Sequence, residues 1–157
     1  MKDLKLSPVT NFEDSRSIAR EIFFHQPFPD HRLKMRTISV ASTLLRHPGV
    51  PYSKAFQEWA ATKAFYRLIE NERIAMETLS APIFESGARN CNCHQKIYAV
   101  NDTTAVALSH ETLSKELGAL DQFPDHLGLF LHTTLAVSSR GVPLGILDQQ
   151  AWKGRHS

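Results

Sequence analysis

Ile97-Tyr98-Ala99-Val100-Asn101-Asp102-Thr103-Thr104 is the stretch on which the reading of this chain turns. Ile, Tyr and Val fit a pleated, half-buried surface, so a run of this length predicts a strand. The run ends on an acid followed by two hydroxyl residues. An acid at the end of a strand is expected on the rim of a sheet, where ligands and metals are held. The plainer alternative is a turn in which the Asp102 side chain bonds its own backbone two residues on.

On the C-terminal side the pattern stays strand-like. A polar insertion covers residues 109–120, and two strand candidates follow at 127–137 and 143–151. Ser138-Ser139-Arg140-Gly141 joins them, polar and ending in Gly, so the pair reads as an antiparallel hairpin.

On the N-terminal side the pattern is helical. Thr10-Asn11-Phe12-Glu13 has the form of a capping box and opens a helix expected to reach about residue 24, burying Ile18 and Ile22. His25-Gln26-Pro27-Phe28-Pro29 must break it. Asp30 then caps a second helix to about Arg46, with Leu33, Thr37, Val40 or Ala41, and Leu44 as its inner stripe. Arg32 and Arg36 stand one turn apart on another face, with His31 and Lys34 nearby. Cations in a first turn oppose the helix dipole, so local stability does not explain them. A solvated basic face and a phosphate-facing surface both fit.

His47-Pro48-Gly49-Val50-Pro51 is a turn. Ser53 is expected to cap a third helix running to residue 71, with Phe56, Ala60, Ala64, Phe65, Leu68 and Ile69 inside. Lys63 and Arg67 lie at i and i+4 on its outer side, and Tyr66 is beside Arg67. A fourth, weaker helix carries Ile74, Leu79 and Ile83, interrupted or restarted at Pro82. The expectation is therefore an α+β chain: a helical module over residues 1–92, then the strands over 93–157. Strands without covering helices make an incomplete layer, so one sheet face should lack a partner.

The bulk properties fit a folded protein. The chain has 157 residues, 42% hydrophobic and 22% charged, enough for one ordinary domain with a real core. No apolar run is long enough to span a bilayer, and Met1-Lys2-Asp3-Leu4 starts no signal peptide, so a cytoplasmic location is expected. The two cysteines, Cys91 and Cys93, stand in Asn90-Cys91-Asn92-Cys93-His94. They are too close for an unstrained bridge, and a zinc site would need further ligands that no second cluster supplies. Net charge is only +2, but from Asp30 to Arg67 seven Lys or Arg face two acids, a local +5. Such clustering bears on nucleic-acid binding more than the whole-chain balance does.

In this order the signals resemble the N-terminal part of bacterial cut-and-paste transposases of the Asp-Asp-Glu type, the insertion-sequence-four, Tn-five-like group. The likeness rests on Asp30-His31-Arg32 through Arg36, and on Ala64-Phe65-Tyr66-Arg67-Leu68-Ile69-Glu70-Asn71. It rests also on Val100-Asn101-Asp102-Thr103-Thr104, and on Val142-Pro143-Leu144-Gly145-Ile146-Leu147 with Trp152. The resemblance implies that the helices bind double-stranded DNA at the transposon's terminal inverted repeats. By position it puts Arg36, Tyr66 and Arg67 near DNA, with Arg32 a looser match; Lys63 joins them by its charge and its spacing from Arg67. It implies that the strands open a ribonuclease-H-like catalytic domain as an antiparallel meander, with Asp102 the first of three metal-binding carboxylates.

The chemistry of that family is in-line displacement at a phosphodiester, in which paired Mg²⁺ or Mn²⁺ ions stabilise the attacking and leaving oxygens. Several carboxylates must converge to hold two such ions. The resemblance places the second Asp and the Glu beyond Ser157, and Asp121, Asp125 and Asp148 do not match them. The expectation is a truncated form that binds DNA without cutting it and holds no metal tightly. It would work in the bacterial cytoplasm at the nucleoid, as a homodimer or with a full-length transposase. Two other classes stay open: a small hydrolase using Asp102 with His132 or His110, and a non-catalytic interaction domain with a merely solvated basic face.

Overall fold

The structure is a computed structural model that describes residues 12–108, 117–120 and 123–154, apart from the side chains of 12, 13 and 123–126. Thr10, the expected first cap, and His110 lie outside the described residues. The chain divides into two compact units, Met1–Pro82 and Ile83–Ser157, so it parts within the last helix, whereas the sequence pattern changes at 92/93. Five helices precede an antiparallel sheet, which makes the architecture α+β.

The first unit is built on α1 (Phe12–Phe23) and α2 (His31–Arg46). α2 starts where expected: Asp30 is extended, and its carboxylate accepts the Leu33 N–H at 2.8 Å. That bond satisfies a donor with no partner inside the helix. Leu33 and Thr37 are buried as read, but so are Ile38 and Ser42, while Val40, Ala41 and Leu44 are only half-buried. The seam has rotated because Ser42 finds a partner across it. Its hydroxyl lies 3.0 Å from that of Ser15 on α1, so two polar groups can sit in the packed interface. On α1 the centre of the seam is Ser15, Ala19 and Phe23, and the expected Ile18 and Ile22 form its shoulders. Ala19, Phe23 and Ile38 make the core, flanked by Ile22, Phe28 and Met35.

The expected third helix is broken into α3 (Tyr52–Ala55) and α4 (Trp59–Ile69). Pro51, not Ser53, stands at the N-cap of α3. Gln57 takes a positive φ of 55° and Glu58 is extended before α4 starts. The reason lies in Phe56 and Phe65. Nine residues apart in one straight helix, they would point about 180° apart, by the 3.6-residue period. The break lets both be buried and stacked, with ring centroids 5.1 Å apart and Tyr52 packing on Phe65 at 4.8 Å. A left-handed non-Gly residue costs about 1–2 kcal/mol. Burying a phenyl ring recovers about 1.5–3 kcal/mol, and the ring pair adds roughly 0.5–1.5 kcal/mol. The break is therefore the cheaper arrangement, and it leaves Ala60 exposed rather than inside.

α5 (Met76–Cys91) runs unbroken through Pro82, where an interruption was expected, and Pro82 itself is fully buried. In the second unit the later turns of α5 lie on the sheet. The strands are β1 (Ile97–Ala107), β2 (Gly118–Leu120), β3 (Phe123–Ser138) and β4 (Pro143–Lys153), all antiparallel. β3 is central, with β1 along one side and β4 along the other. β1, β3 and β4 thus form a meander, as expected, while β2 is a short addition inside the segment read as an insertion. The β3–β4 turn closes as the hairpin reading required: Gly141 has φ 78° and donates to the Ser138 carbonyl at 2.9 Å.

Gly87 of α5 meets Gly145 of β4 so closely that a Cβ on Gly87 would collide with the Ile146 carbonyl. Asn90 Nδ2 donates to the Leu144 carbonyl at 2.8 Å. The helix thereby covers one end of one sheet face, where Ala136 and Ser138 are buried.

β1 does not stop at Asp102. It continues to Ala107 in unbroken register with β3, Asp102 opposite Thr133 and Thr104 opposite Leu131. Neither the rim position nor the turn therefore holds, and Asp102 lies mid-strand.

Candidate nucleic-acid interface

Within the first unit the surface cations fall into two groups. Lys34 is used locally: its ammonium donates to the Phe24 carbonyl at 2.8 Å and lies 5.6 Å from the Phe24 ring centre. Arg20 stacks over the same ring at 4.6 Å, and Arg73 pairs with Asp30 at 3.2 Å. The Leu33 N–H, with the Arg73 charge as a lesser cause, holds the Asp30 carboxyl below the usual carboxylate range despite partial desolvation. These groups fasten the ends of α1 and α2.

Arg32, Arg36, Lys63 and Arg67 are different. All four are exposed, and among the described residues none has a side-chain hydrogen bond or ion pair. Arg32 and Arg36 are one turn apart on α2, opposite the buried Leu33–Thr37–Ile38 seam. Lys63 and Arg67 repeat that spacing on α4, opposite the buried Thr62, Phe65 and Leu68. Helical periodicity sends these guanidinium and ammonium groups outward because the apolar residues at the intervening positions point in. Tyr66 is 45% exposed and lines an open groove with His47 and Pro51 of the turn between α2 and α3 and with Tyr52 and Ser53 of α3.

Two residues escaped the sequence reading. Trp59 opens α4 and is 78% exposed, on the same outer stripe as Lys63 and Tyr66. Its spacing from Lys63 and Tyr66 was legible, but an aromatic residue at a helix start is more readily assigned inward. Arg16 of α1 is exposed and lines a groove of about 190 Å³ with Ser39 and Thr43, which follow Arg36 on α2. Exposed cations carrying nearby hydroxyls and aromatic rings can hold phosphates and touch bases or sugars.

The second unit places the remaining candidates. Asp102 is exposed, and Thr104 Oγ1 donates to its Oδ2 at 3.1 Å. Its cross-strand row is Asp102, Thr133 and Gln149, with Gln149 Nε2 donating to Thr133 Oγ1 at 3.0 Å. Asp148 belongs to the adjacent row, opposite Thr134, and so to the other face. Among the described residues no three His, Cys, Asp or Glu side chains stand together as a metal set, Cys91, Cys93 and His94 included. One carboxylate beside a hydroxyl and an amide does not fit a paired Mg²⁺ or Mn²⁺ site.

The Asp102–His132 hydrolase reading is overturned by the register. His132 pairs with Thr103, its Nδ1 2.7 Å from the Thr103 hydroxyl, so it lies on the face opposite Asp102. Side chains of successive strand residues point to opposite faces, and no local adjustment joins them. Among the described residues no helix is long and apolar enough to cross a membrane. No curated protein matches the chain. Residues 15–74 match the family model described as transposase DNA-binding, which spans α1 to α4 with both cationic stripes and supports reading this part as the DNA-binding module of a transposase.

Proposed function

We propose that the chain is the N-terminal part of a cut-and-paste transposase of the Asp-Asp-Glu type, insertion-sequence-four group, and that its helical unit binds terminal inverted-repeat DNA. The observation that carries this reading is the coincidence of the family match over 15–74 with exposed, locally unpaired Arg32, Arg36, Lys63 and Arg67. In this reading those side chains hold phosphates and Tyr66 contacts the backbone or base edges beside them. Each phosphate neutralised releases condensed counterions, so binding weakens steeply as salt rises.

Asp102 would be the first carboxylate of a ribonuclease-H-like centre. Its row supplies a hydroxyl and an amide, and in this reading the chain binds DNA without cleaving it. The outer edge of β1, exposed along nearly all its length, favours association with another copy or with a full-length transposase in the bacterial cytoplasm.

The test is a salt titration of duplex binding by wild type and by the Arg36→Ala/Arg67→Ala double variant. Loss of two phosphate contacts should lower affinity about ten-fold or more and reduce the salt slope by about 2. Equal binding by both proteins at every salt would sink the proposal. The same duplexes with Mg²⁺ or Mn²⁺ should show no nicking by wild type or by Asp102→Ala.

A further inference from the structure

We infer that Trp59 is the specificity-determining contact of the helical unit, its indole packing against bases while Lys63 and Arg67 hold the flanking phosphates. The inference rests on the DNA-binding reading above. Trp is a large apolar side chain, and leaving 78% of it in water on a folded unit forfeits most of what its burial would contribute. The unit has room for aromatic rings inside, since Phe56 and Phe65 are buried 5.1 Å apart in the same region. Trp59 is therefore placed outward by the helix phase, not displaced by a full core.

The phase also fixes its neighbours. Counting about 100° per residue, Trp59, Lys63 and Tyr66 share one stripe, with Arg67 on its shoulder. Buried Thr62, Phe65 and Leu68 occupy the other side. The stripe thus alternates aromatic, cation, aromatic, cation. That alternation selects the partner by charge. A protein surface would be served by the rings alone, whereas a polyanion with stackable or methylated bases uses both kinds of residue.

Acids bracket the stripe. Glu58, whose side chain makes no cap bond, stands at the N-cap, and Glu70 stands at the C-cap. They leave Lys63 and Arg67 as the phosphate-facing middle. Trp59, in the first turn, occupies the end of the helix that reaches base edges when a recognition helix enters a groove.

The discriminating property is salt. A phosphate contact contributes to the slope of affinity against salt, and an indole contact does not. The probes are a duplex enriched by wild type from a random-sequence pool and a scrambled duplex of equal length. Trp59→Ala should bind the enriched duplex about ten-fold more weakly, with the salt slope unchanged and scrambled binding nearly unaffected. Lys63→Ala should weaken both duplexes alike and lower the slope by about 1. Trp59→Phe should recover part of the loss. In a Trp152→Phe background, the enriched duplex should quench Trp59 fluorescence.

Wild type that binds no duplex would end both this inference and the DNA-binding reading. Wild type that binds, with Trp59→Ala matching it on both probes and no quenching, would overturn this inference alone. So would a Trp59→Ala variant that changes only the sedimentation of the protein, because the ring would then face another protein.

Discussion

On α4, Phe65 and Leu68 are 6% and 2% exposed, while Tyr66 and Arg67 between them stand in water. On β1, Tyr98 and Val100 are 48% and 49% exposed, and no residue of the strand is fully buried. The two segments have similar lengths and comparable apolar content, yet only one has finished its packing. The helical unit buries Phe56 and Phe65 in an internal cluster and presents cations, with Trp59 and Tyr66 beside them. The sheet keeps buried Ala136 and Ser138 under α5 and leaves much of its other face, with Tyr98, Val100 and Asp102, uncovered. What the contrast teaches is where a partner's chemistry enters. On the helices it is led by charge, with exposed rings beside the cations, and on the sheet it is apolar or strand-to-strand.

The comparison can be broken most severely at Phe65, which stacks on Phe56 and packs on Tyr52. Phe65→Ala should destabilise the helical unit by about 3–5 kcal/mol. Far-UV circular dichroism should then show an early helical transition and duplex binding should vanish, while Trp152 fluorescence, read in a Trp59→Phe background, still reports a later change in the sheet. A single coincident transition at the wild-type temperature would show that the Phe56–Phe65 cluster does not hold that unit together.

A smaller effect, in the other unit, is expected at Gly87. Gly→Ala inside a helix ordinarily stabilises by up to about 1 kcal/mol. At Gly87 the added methyl meets the Ile146 carbonyl, so the sign should invert. Gly87→Val should cost about 1–3 kcal/mol, because a backbone carbonyl cannot swing aside as a side chain can. Thermal melts followed by Trp152 fluorescence in a Trp59→Phe background should move down for both variants, while duplex binding measured with Trp59 in place stays intact. An upward shift for Gly87→Ala would disprove the close packing of α5 on β4.

The smallest effect belongs to Asp30. Its carboxyl is held below the usual range by the Leu33 N–H and then by Arg73, so the native state favours the ionised form. The stabilisation is complete above the ordinary carboxylate range and is lost as pH falls through the depressed value. Asp30→Ala should therefore lower the melting temperature of the helical unit by a few degrees near neutral pH. The gap from wild type should close in acid, and Asp30→Asn, which keeps an acceptor, should lie between them. A gap independent of pH would show that neither the cap bond nor Arg73 favours the ionised carboxylate.

Much of this was legible from local chemistry. Asp30 announces a cap because an acid after two prolines precedes a helical stripe, and Ser138-Ser139-Arg140-Gly141 announces a hairpin because Gly141 accepts the positive φ. Of the proposed DNA face, the paired spacings of Arg32 with Arg36 and Lys63 with Arg67 could be read directly. The failures came from distant partners. The break at Gln57 was hidden because an unbroken apolar stripe ran across it, and only the Phe56–Phe65 contact gives it a cause. Ser42 looked too polar for a seam until Ser15 supplied its hydrogen bond. Asp102 looked like a strand end because Asp disfavours strands, but the flanking rows, Asn101 with Thr134 and Thr103 with His132, are tied by cross-strand side-chain hydrogen bonds and carry the strand through.

The register of β1 with β3 also sets an order of events in time. Ile97 pairs with Ser138, so the sheet cannot zip until a long intervening segment has been made and brought back. The α1–α2 pair closes a shorter loop, as in Ser15 with Ser42, 27 residues on. Short-range contacts form quickly and long-range strand pairing slowly, and chains emerge N-terminus first. During synthesis the helical unit can close its core while β3 is still inside the ribosome. A nascent chain would then present Arg32, Arg36 and Lys63 before the sheet exists.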